Sequence, residues 1–196
     1  MSEGERQITH ALQYALNEDS GERSVEETPS TDATVNLHWE LAYRAEPRAR
    51  VIADRHYNRQ SIGSSQFVPP GRCLVLSMSD ALWITSWPYP EYVKHGWPGA
   101  WVCSAFRNEG DVLSSTLITE AAGMTRWYWP EAIPPLGMIT FVNPDKVRHK
   151  RDPGRCFLKA GFQRVGRTKG GLVALQLLPA DMPNAIRPLR TQEVLF

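Results

Sequence analysis

Alternating apolar and polar positions predict a series of short strands and helices between Val35 and Leu178. Strands are predicted where every second residue is apolar or where a short apolar run lies between turn residues, and helices where apolar residues recur every three or four positions. The predicted strands cover 35–43, 72–78, 81–87, 99–106, 136–142, 162–167 and 171–177, and the predicted helices cover 46–57, 113–129 and 154–160. Short turns make antiparallel hairpins of the second and third strands and of the last two.

The strand at 99–106 is apolar on both faces. Alternation predicts Ala100, Val102, Ser104 and Phe106 on one face and Trp101, Cys103 and Ala105 on the other. Such a strand is expected at the centre of a sheet that is covered on both sides. In the loop that follows, 107–112, Gly110 is expected in a backbone conformation that other residues avoid, and Ser114 or Ser115 is expected to cap the next helix. A glycine loop before a helix start predicts an anion site, the alternative being a plain strand–helix connection.

The helix at 46–57, with Pro47 in its first turn, places His56 on its buried side close to its end. That placement is typical of a histidine satisfied within a core. However, 54–59 reads Asp-Arg-His-Tyr-Asn-Arg, which is dense in groups that titrate, donate hydrogen bonds or bind phosphate. The loop 60–71 holds glycines, serines and prolines and is expected to fold over a pocket. The sequence therefore supports a site role for His56 and Tyr57 as well as it supports a core role.

Length and composition indicate one globular domain. The chain has 196 residues, 42% of them apolar, and lacks the run of about 18 apolar residues that predicts a membrane span. No charged-then-apolar signal segment opens the sequence, so we expect a cytoplasmic protein that is not bound to a membrane. The three cysteines (Cys73, Cys103 and Cys156) are widely spaced and are expected to be reduced thiols. A proline- and aromatic-rich loop at 88–98 is expected to cap the core or to stack on nucleic-acid bases.

Charge is unevenly distributed, although the formal net charge is only +1. Residues 1–34 are predicted to form an acidic, disordered tail because 17–33 is acidic and poor in apolar residues. Residues 35–178 would form one domain, and 179–196 a C-terminal extension. Between 144 and 170, nine Lys or Arg residues stand against two Asp residues. This cluster predicts a polyanionic partner such as nucleic acid or a phosphate-rich cofactor, the alternative being a solvated surface.

The order of elements resembles the GNAT acyltransferase fold over about 36–178. Two motifs carry the resemblance: 156–162 (CFLKAGF) is similar to the family's late helix ending in K-x-G-F, and 107–110 (RNEG) is similar to its R/Q-x-x-G-x-G/A pyrophosphate loop. The resemblance implies an α/β fold with a mixed, mostly antiparallel central sheet flanked by helices. Val112 departs from the family's last small loop residue. Phe157 stands where many members have a tyrosine general acid, so ordinary amine acetylation through that residue is not expected.

A divergent branch, the phage Mom proteins, resembles the chain at 55–57 (RHY), at 106–109 (FRNE) and in the basic segment 148–155. Mom proteins convert adenine in DNA to a carbamoylmethyl derivative and so protect phage DNA from restriction. The resemblance implies a double-stranded DNA substrate whose target base is flipped out, inside a phage-infected or prophage-carrying bacterium. The donor stays open: both an acyl-CoA-like molecule and a metal-assisted route, with iron as the metal, are options. Oligomeric state stays open as well, with a dimer among the options.

Under this interpretation His56 is the acid–base candidate or a metal ligand, and Tyr57 orients it. Ser114 and Asp152 complete the predicted catalytic group, although a helix-cap role alone explains Asp152. The residues predicted to seat the donor are Arg107, Asn108 and Gly110, together with Ser114. The predicted phosphate contacts are Lys146, Arg148, Lys150, Arg151, Arg155, Arg164, Arg167 and Lys169.

Two rival hypotheses remain at this point. The first is a conventional N-acetyltransferase that uses acetyl-CoA on a small amine or a protein, which needs no basic surface. The second is a DNA-binding module that keeps an inactive acyltransferase fold. The basic segment argues against the first rival and the polar cluster at 55–59 against the second.

Overall fold

A computed structural model describes residues 37–131, 133–147 and 152–188. Its helices are α1 (Pro47–Asp54), α2 (Ser114–Tyr128) and α3 (Arg155–Lys159), and its strands are β1 (Glu40–Ala42), β2 (Arg72–Ser77), β3 (Ala81–Trp87), β4 (Trp101–Asn108), β5 (Met138–Val142), β6 (Gln163–Arg167) and β7 (Val173–Leu177). The predicted tail at 1–34 lies outside the described residues, as do Arg148, Lys150 and Arg151.

The seven strands form one sheet in the order β1-β2-β3-β4-β5-β7-β6. All neighbouring pairs are antiparallel except β4 and β5, which are parallel. The predicted mixed, mostly antiparallel sheet is therefore confirmed, and the doubly apolar strand β4 is its central strand. The hairpin β2–β3 also forms as predicted, with Ser77 opposite Leu82 at its closed end.

Apolar side chains cover both faces of the sheet. On one face α2 and α3 pack over a large core that includes Trp39, Trp83 and Trp101, each fully buried. On the other face α1 and the loop ending at Val68 pack over β2 and β3. Trp97 packs beside a third, smaller cluster on β5 and β7, so the aromatic loop at 88–98 partly caps the core as expected.

A β-bulge at Ser104 corrects the predicted faces of β4. Thr85 pairs with Cys103 and Ile84 with Ala105, so Ser104 is an extra residue between them. An extra residue reverses the alternation of side chains beyond it. As a result Ala105 packs in the α1 cluster and Phe106 against the α2 core. The prediction that Phe106 shares a face with Ala100 and Val102 is wrong, because the sequence pattern does not reveal the bulge.

Several element ends differ from the predicted ones. Helix α1 ends at Asp54, so His56 lies in the turn after it, where its N–H donates to the Ala53 carbonyl at 2.9 Å. Strand β1 is three residues long rather than nine. Leu113 precedes α2 and no side chain caps that helix, so neither Ser114 nor Ser115 has the predicted capping role.

Asp152 is not the cap of α3. Gly154 occupies that position with φ of +80°, a conformation that favours glycine. A Cβ at Gly154 would also collide with the Leu175 side chain on β7. Both the backbone conformation and the close approach of α3 to the sheet therefore favour glycine at this position. The backbone carbonyl of Asp152 accepts the Arg155 N–H at 3.0 Å, which leaves its carboxylate without a role in the helix start.

The described part of the C-terminal segment, 179–188, packs against α2. The Ile186 N–H donates to the Gly123 carbonyl at 3.1 Å, and Arg126 donates to the Pro183 carbonyl at 3.2 Å. A Cβ at Gly123 would lie 2.7 Å from the Asn184 carbonyl oxygen, so the glycine permits this close approach.

Candidate functional site

Strands β4 and β5 separate beyond Cys103. Their parallel pairing joins Trp101–Cys103 to Met138–Thr140 and extends no further. A cavity of about 510 Å³ opens where they part, and we call it the sheet cavity. Its walls include Phe106 on β4, Val142 on β5 and Phe157 on α3. The backbone of β4 beyond the bulge has no strand partner on its β5 side.

A second cavity of about 550 Å³ lies between α1, the loop 60–69 and the neighbouring strands, and we call it the loop cavity. His56, Asn58, Ser104 and Ala105 line both cavities. The two spaces therefore meet at the turn after α1 and at the β4 bulge. Two cavities that share a titratable side chain can present two reactants to each other across it.

One arginine holds the loop wall of the loop cavity in place. The Arg59 guanidinium pairs with Asp54 at 2.6 Å and donates to the carbonyls of Ser64 at 2.6 Å and Gln66 at 2.8 Å. Asp54 also accepts the Gly63 N–H at 3.0 Å. Two of the polar residues that the sequence placed near His56 are thus scaffolding for the loop.

His56 is a neutral imidazole at the junction of the cavities. Its Nδ1 accepts the Asn58 N–H at 3.2 Å, which leaves the ring proton on Nε2. Burial, as the largest cause, and the positive charge of Arg107 together lower its pKa to about 4, against the opposing effect of hydrogen bonding with the Phe106 backbone. At neutral pH the ring is therefore uncharged, with a donor N–H at Nε2 and a lone pair at Nδ1 that faces the Asn58 N–H.

Tyr57 stacks on His56 with ring centroids 4.5 Å apart. Its hydroxyl accepts the Asn143 N–H from the segment after β5, at 3.4 Å. Burial raises the pKa of the phenol. Tyr57 thus stacks on the imidazole and lines the sheet cavity, and the orienting role expected for it stays a prediction.

Glu109 joins the end of α1 to the end of β4. It pairs with Arg55 and accepts from Arg107 Nε at 2.6 Å. The two guanidinium groups hold the pKa of the Glu109 carboxyl near 2, with the hydrogen bond from Arg55 as the largest cause. Arg107, predicted to seat the donor, therefore lines the sheet cavity with its charge already partnered. Sequence reasoning missed this role of Glu109, whose partner Arg55 lies far away in the chain.

The loop after β4 is closed by Asn108. Its Oδ1 accepts the Gly110 N–H at 3.0 Å, and its Nδ2 donates to the Val112 carbonyl at 2.7 Å and to Ser114 Oγ at 3.1 Å. Gly110 does not have the positive φ expected for it. A side chain there would collide with the carboxylate of Asp80 instead. The amide of Gly110 is thus occupied within the loop rather than directed to a ligand.

A third cavity of about 400 Å³, the helix-end cavity, lies where α2 begins beside α3. Ser114, Ser115, Asp152, Arg155 and Lys159 line it. The first amides of α2 have no intrahelical partner and no capping side chain, and a helix N-terminus favours negative charge. These residues fit an anionic group such as a phosphate of the donor.

The described structure brings together some predicted site residues and not others. His56, Tyr57, Arg107, Asn108 and Ser114 line the sheet cavity. Ser114 also lines the helix-end cavity, where Asp152 lies, whereas Gly110 lines none of the three cavities. Sequence reasoning did not find Ser104 and the side-chain amides of the loop cavity, because the bulge and the loop conformation leave no pattern in the sequence.

Two thiols also line the sheet cavity, the buried Cys103 and the half-buried Cys156. Burial raises the pKa of the Cys103 thiol strongly and that of the Cys156 thiol as well. Both are therefore protonated at neutral pH and are poor nucleophiles.

Six basic side chains remain against two acidic ones in the described part of 144–170. Arg155 lines the helix-end cavity, and every residue of β6, including Arg164 and Arg167, is exposed. Arg164 donates to the Pro153 carbonyl at 3.4 Å, which places the edge strand beside the start of α3. Lys146 lies in the turn after β5 and Lys169 in the hairpin turn after β6. We call Lys146, Arg155, Arg164, Arg167 and Lys169 the basic edge.

The described residues do not fit the iron centre that the sequence left open. Among 37–131, 133–147 and 152–188, no group of three or more His, Cys, Asp or Glu side chains has the arrangement to hold a metal ion. We therefore assign His56 no ligand role. None of the helices in these ranges is long and apolar enough to cross a membrane.

Neither a protein-family model nor a curated protein sequence matches the chain. A solved structure does: the aminoglycoside acetyltransferase AAC(6')-Ib in complex with coenzyme A and kanamycin. The alignment covers 74% of this chain and 96% of that chain, with 15% sequence identity and a TM-score of 0.50. The chain has the GNAT fold. At this identity the likeness extends to the fold, and it confirms the fold class predicted from the order of elements.

Proposed function

We propose that this protein is a GNAT-fold transferase that modifies the exocyclic N6 amine of adenine in double-stranded DNA, adding a carbamoylmethyl group as phage Mom proteins do. The observation that carries the proposal is the neutral imidazole of His56 at the junction of two cavities. The basic edge and the sequence motifs shared with Mom proteins support DNA as the substrate.

The chemistry requires a base and a positioned amine. The N6 lone pair of adenine is delocalised into the ring, so attack on the donor carbon is slow unless the amine is held close to it. As the new N–C bond forms, the leaving group takes the bonding electrons and the nitrogen becomes strongly acidic. A weak base then suffices to remove its proton. Neutral His56, with a pKa of about 4, has that property, and it would take the proton at Nδ1 in place of the hydrogen bond from the Asn58 N–H.

A CoA-like donor whose reactive atom is the methylene of the carbamoylmethyl group, bearing the leaving group, would carry its charge to the helix-end cavity and that methylene into the sheet cavity. The α2 N-terminus, Ser114, Arg155 and Lys159 would hold the anionic part. Phe157 contributes an apolar wall where a tyrosine would supply a proton, so the leaving group obtains no proton from that position.

The basic edge would hold DNA phosphates beside the site. Each phosphate contact contributes about 0.9 to the log–log slope of binding against salt. Exposed arginines on β6 suit this role because their side chains face solvent rather than the core.

The decisive experiment is mass spectrometry of nucleosides from plasmid DNA recovered after the protein is expressed in bacteria. We expect a deoxyadenosine heavier by one carbamoylmethyl group. His56→Ala should abolish it while thermal stability and DNA binding stay near wild type. Unmodified DNA from cells containing folded wild-type protein would contradict the proposal.

A conventional N-acetyltransferase is the second candidate. The structural likeness to an aminoglycoside acetyltransferase favours it. It predicts acetyl-CoA turnover on small amines and no modified nucleoside. An inactive module would instead bind DNA tightly and give neither product. Acetyl-CoA turnover and DNA-binding assays on the purified protein, added to the nucleoside analysis, separate the three hypotheses.

A further inference from the structure

The loop cavity has an apolar floor and a rim of side-chain amides. Ala53, Val68, Ile84 and Ala105 form apolar walls, and Phe67 lines the cavity beside them. The rim carries the carboxamides of Asn58, Gln60 and Gln66. Its volume of about 550 Å³ lies within the roughly 300–1,000 Å³ of small-molecule sites. An apolar slot with a polar rim suits a flat heteroaromatic ring.

The three carboxamides are available for a ligand. Within the described ranges none of these side-chain amides makes a hydrogen bond to protein, although the backbones of Asn58 and Gln66 do. A carboxamide offers an acceptor oxygen beside a donor nitrogen. Adenine presents the complementary pair, an N6 amine beside a ring nitrogen acceptor, and Asn or Gln recognises it through two hydrogen bonds.

Hydrogen bonds to neighbouring groups hold the backbones of Asn58 and Gln66, which carry two of these carboxamides. The Asn58 N–H donates to His56 Nδ1 at 3.2 Å. Asn58 also directly follows Tyr57, which stacks on the His56 imidazole. Gln66 is fixed at both backbone groups: Arg59 donates to its carbonyl at 2.8 Å and its N–H donates to Ser64 Oγ at 3.3 Å. Fixed backbones reduce the entropy that this part of the chain loses on binding.

We infer that the loop cavity is the pocket for the flipped base and that Asn58 and Gln66 select adenine by pairing with its N6 amine and a ring nitrogen. The inference rests on the proposed function for the identity of the substrate. It assigns the two cavities different reactants. The sheet cavity, which shares Ser114 and Gly154 with the helix-end cavity, takes the donor. The loop cavity brings the acceptor amine to His56 from the other side.

The first test measures base binding without catalysis. The probe is 9-methyladenine, with 9-methylguanine as its competitor, and binding is followed by saturation-transfer NMR on the full chain. We expect 9-methyladenine to bind and 9-methylguanine to bind at least tenfold more weakly. Asn58→Asp and Gln66→Glu, which replace the donor N–H with a second acceptor, should each weaken 9-methyladenine binding by about tenfold, the loss expected for one discriminating contact.

Asn184→Asp is the matched control, because Asn184 is exposed and lines none of the three cavities. It should bind 9-methyladenine as wild type does. Equal binding of both bases, or unchanged binding by both cavity variants with wild-type melting temperatures, would overturn the inference.

The second test separates this inference from the proposed function. DNA recovered from cells that express each variant is analysed for modified deoxyadenosine. If the wild type modifies DNA and both cavity variants do so equally well, the assignment of the loop cavity fails and the proposed function stands. If wild-type DNA is unmodified, the proposed function fails, and the 9-methyladenine measurement still decides whether the loop cavity binds the base.

Discussion

The two cavities that meet at His56 have walls of different construction. Three groups bound by the single guanidinium of Arg59 hold the outer wall of the loop cavity. The sheet cavity is walled by the core itself, where the Phe157 ring packs against Trp83, Phe106 and Phe162 with centroids 5.2 to 6.4 Å apart. The outer wall of the loop cavity is a surface loop held by hydrogen bonds, and the wall of the sheet cavity is part of the hydrophobic core.

Because of this difference, the two walls should tolerate amino-acid substitutions to different extents. A loop held by hydrogen bonds can change its sequence and its ligand without changing the sheet. A wall made by the core cannot change without a loss of stability. Substitutions on the two walls should therefore have different consequences.

The largest effect is expected for Phe157→Ala. Phe157 is 6% exposed, and truncation of a buried phenylalanine costs about 3–5 kcal/mol. Urea denaturation followed by tryptophan fluorescence measures the loss. Phe157→Leu keeps most of the volume and should cost less than about 1.5 kcal/mol. A loss below about 1 kcal/mol for Phe157→Ala would show that this wall is not part of the core.

A smaller and local effect is expected for Arg59→Ala. The side chains of Arg59 and Asp54 are only 10% and 16% exposed, and the loss of a hydrogen bond to a charged group costs about 1.5–3 kcal/mol. Amide hydrogen exchange should accelerate over 60–67 and stay unchanged in β2 to β5. Arg50→Ala, which removes one bond of 3.4 Å to the Gly63 carbonyl, is the control and should leave exchange near wild type. Equal acceleration across the sheet would contradict the separation of the two walls.

The contrast between the walls also shows what the sequence can and cannot predict. Local alternation predicts β2 and β3 to within a residue because each strand carries its own apolar pattern. It fails beyond Ser104, since a bulge is defined by the partner strand and not by the bulged one. The motif at 107–110 was predicted to follow the central strand, but Arg107 and Asn108 are the last two residues of β4. The partner of Glu109 is Arg55, which follows α1 and leaves no local signal in the motif. Periodicity likewise says nothing about which amides a loop presents to a cavity.

His56, which belongs to both walls, should make stability depend on pH. Its pKa falls from 6.5 in an unfolded chain to about 4 in the fold, so the unfolded state binds the proton more readily. Its contribution to stability is therefore complete above about pH 6.5 and is lost as the pH falls towards 4, by at most about 1.4 kcal/mol per pH unit. His56→Gln should flatten this part of the pH profile of the free energy of unfolding, by about 1.4 kcal/mol at pH 5.5.

An NMR titration of the His56 ring gives the independent check. Its midpoint should lie near 4 in the wild type and rise in Arg107→Gln, because the charge of Arg107 is the second cause of the low pKa. The midpoint should remain below 6.5 in that variant, since burial is the larger cause. A wild-type midpoint near 6.5 would mean that the imidazole is in water and lies on neither wall.

The smallest effect is expected for Glu109→Gln, which cuts the link between the walls. The Arg55 and Arg107 side chains are 46% and 33% exposed, so loss of the ion pairs should cost less than about 1 kcal/mol at neutral pH and less still in high salt. The pKa of Glu109 is about 2, so this stabilisation is present above pH 4.5 and is lost as the pH falls towards 2.

Glu131→Gln removes an exposed partner of Arg72 away from the cavities and provides the matched control. If Glu109 only adds surface charge, both variants should behave alike. If it couples the walls, Glu109→Gln alone should accelerate hydrogen exchange in the turn at 55–59 while the loop 60–67, still held by Arg59, keeps its protection. Acceleration of both segments together would mean that the loop wall depends on the β4 end after all, and the contrast between a polar wall and a core wall would then fail at the residue that joins them.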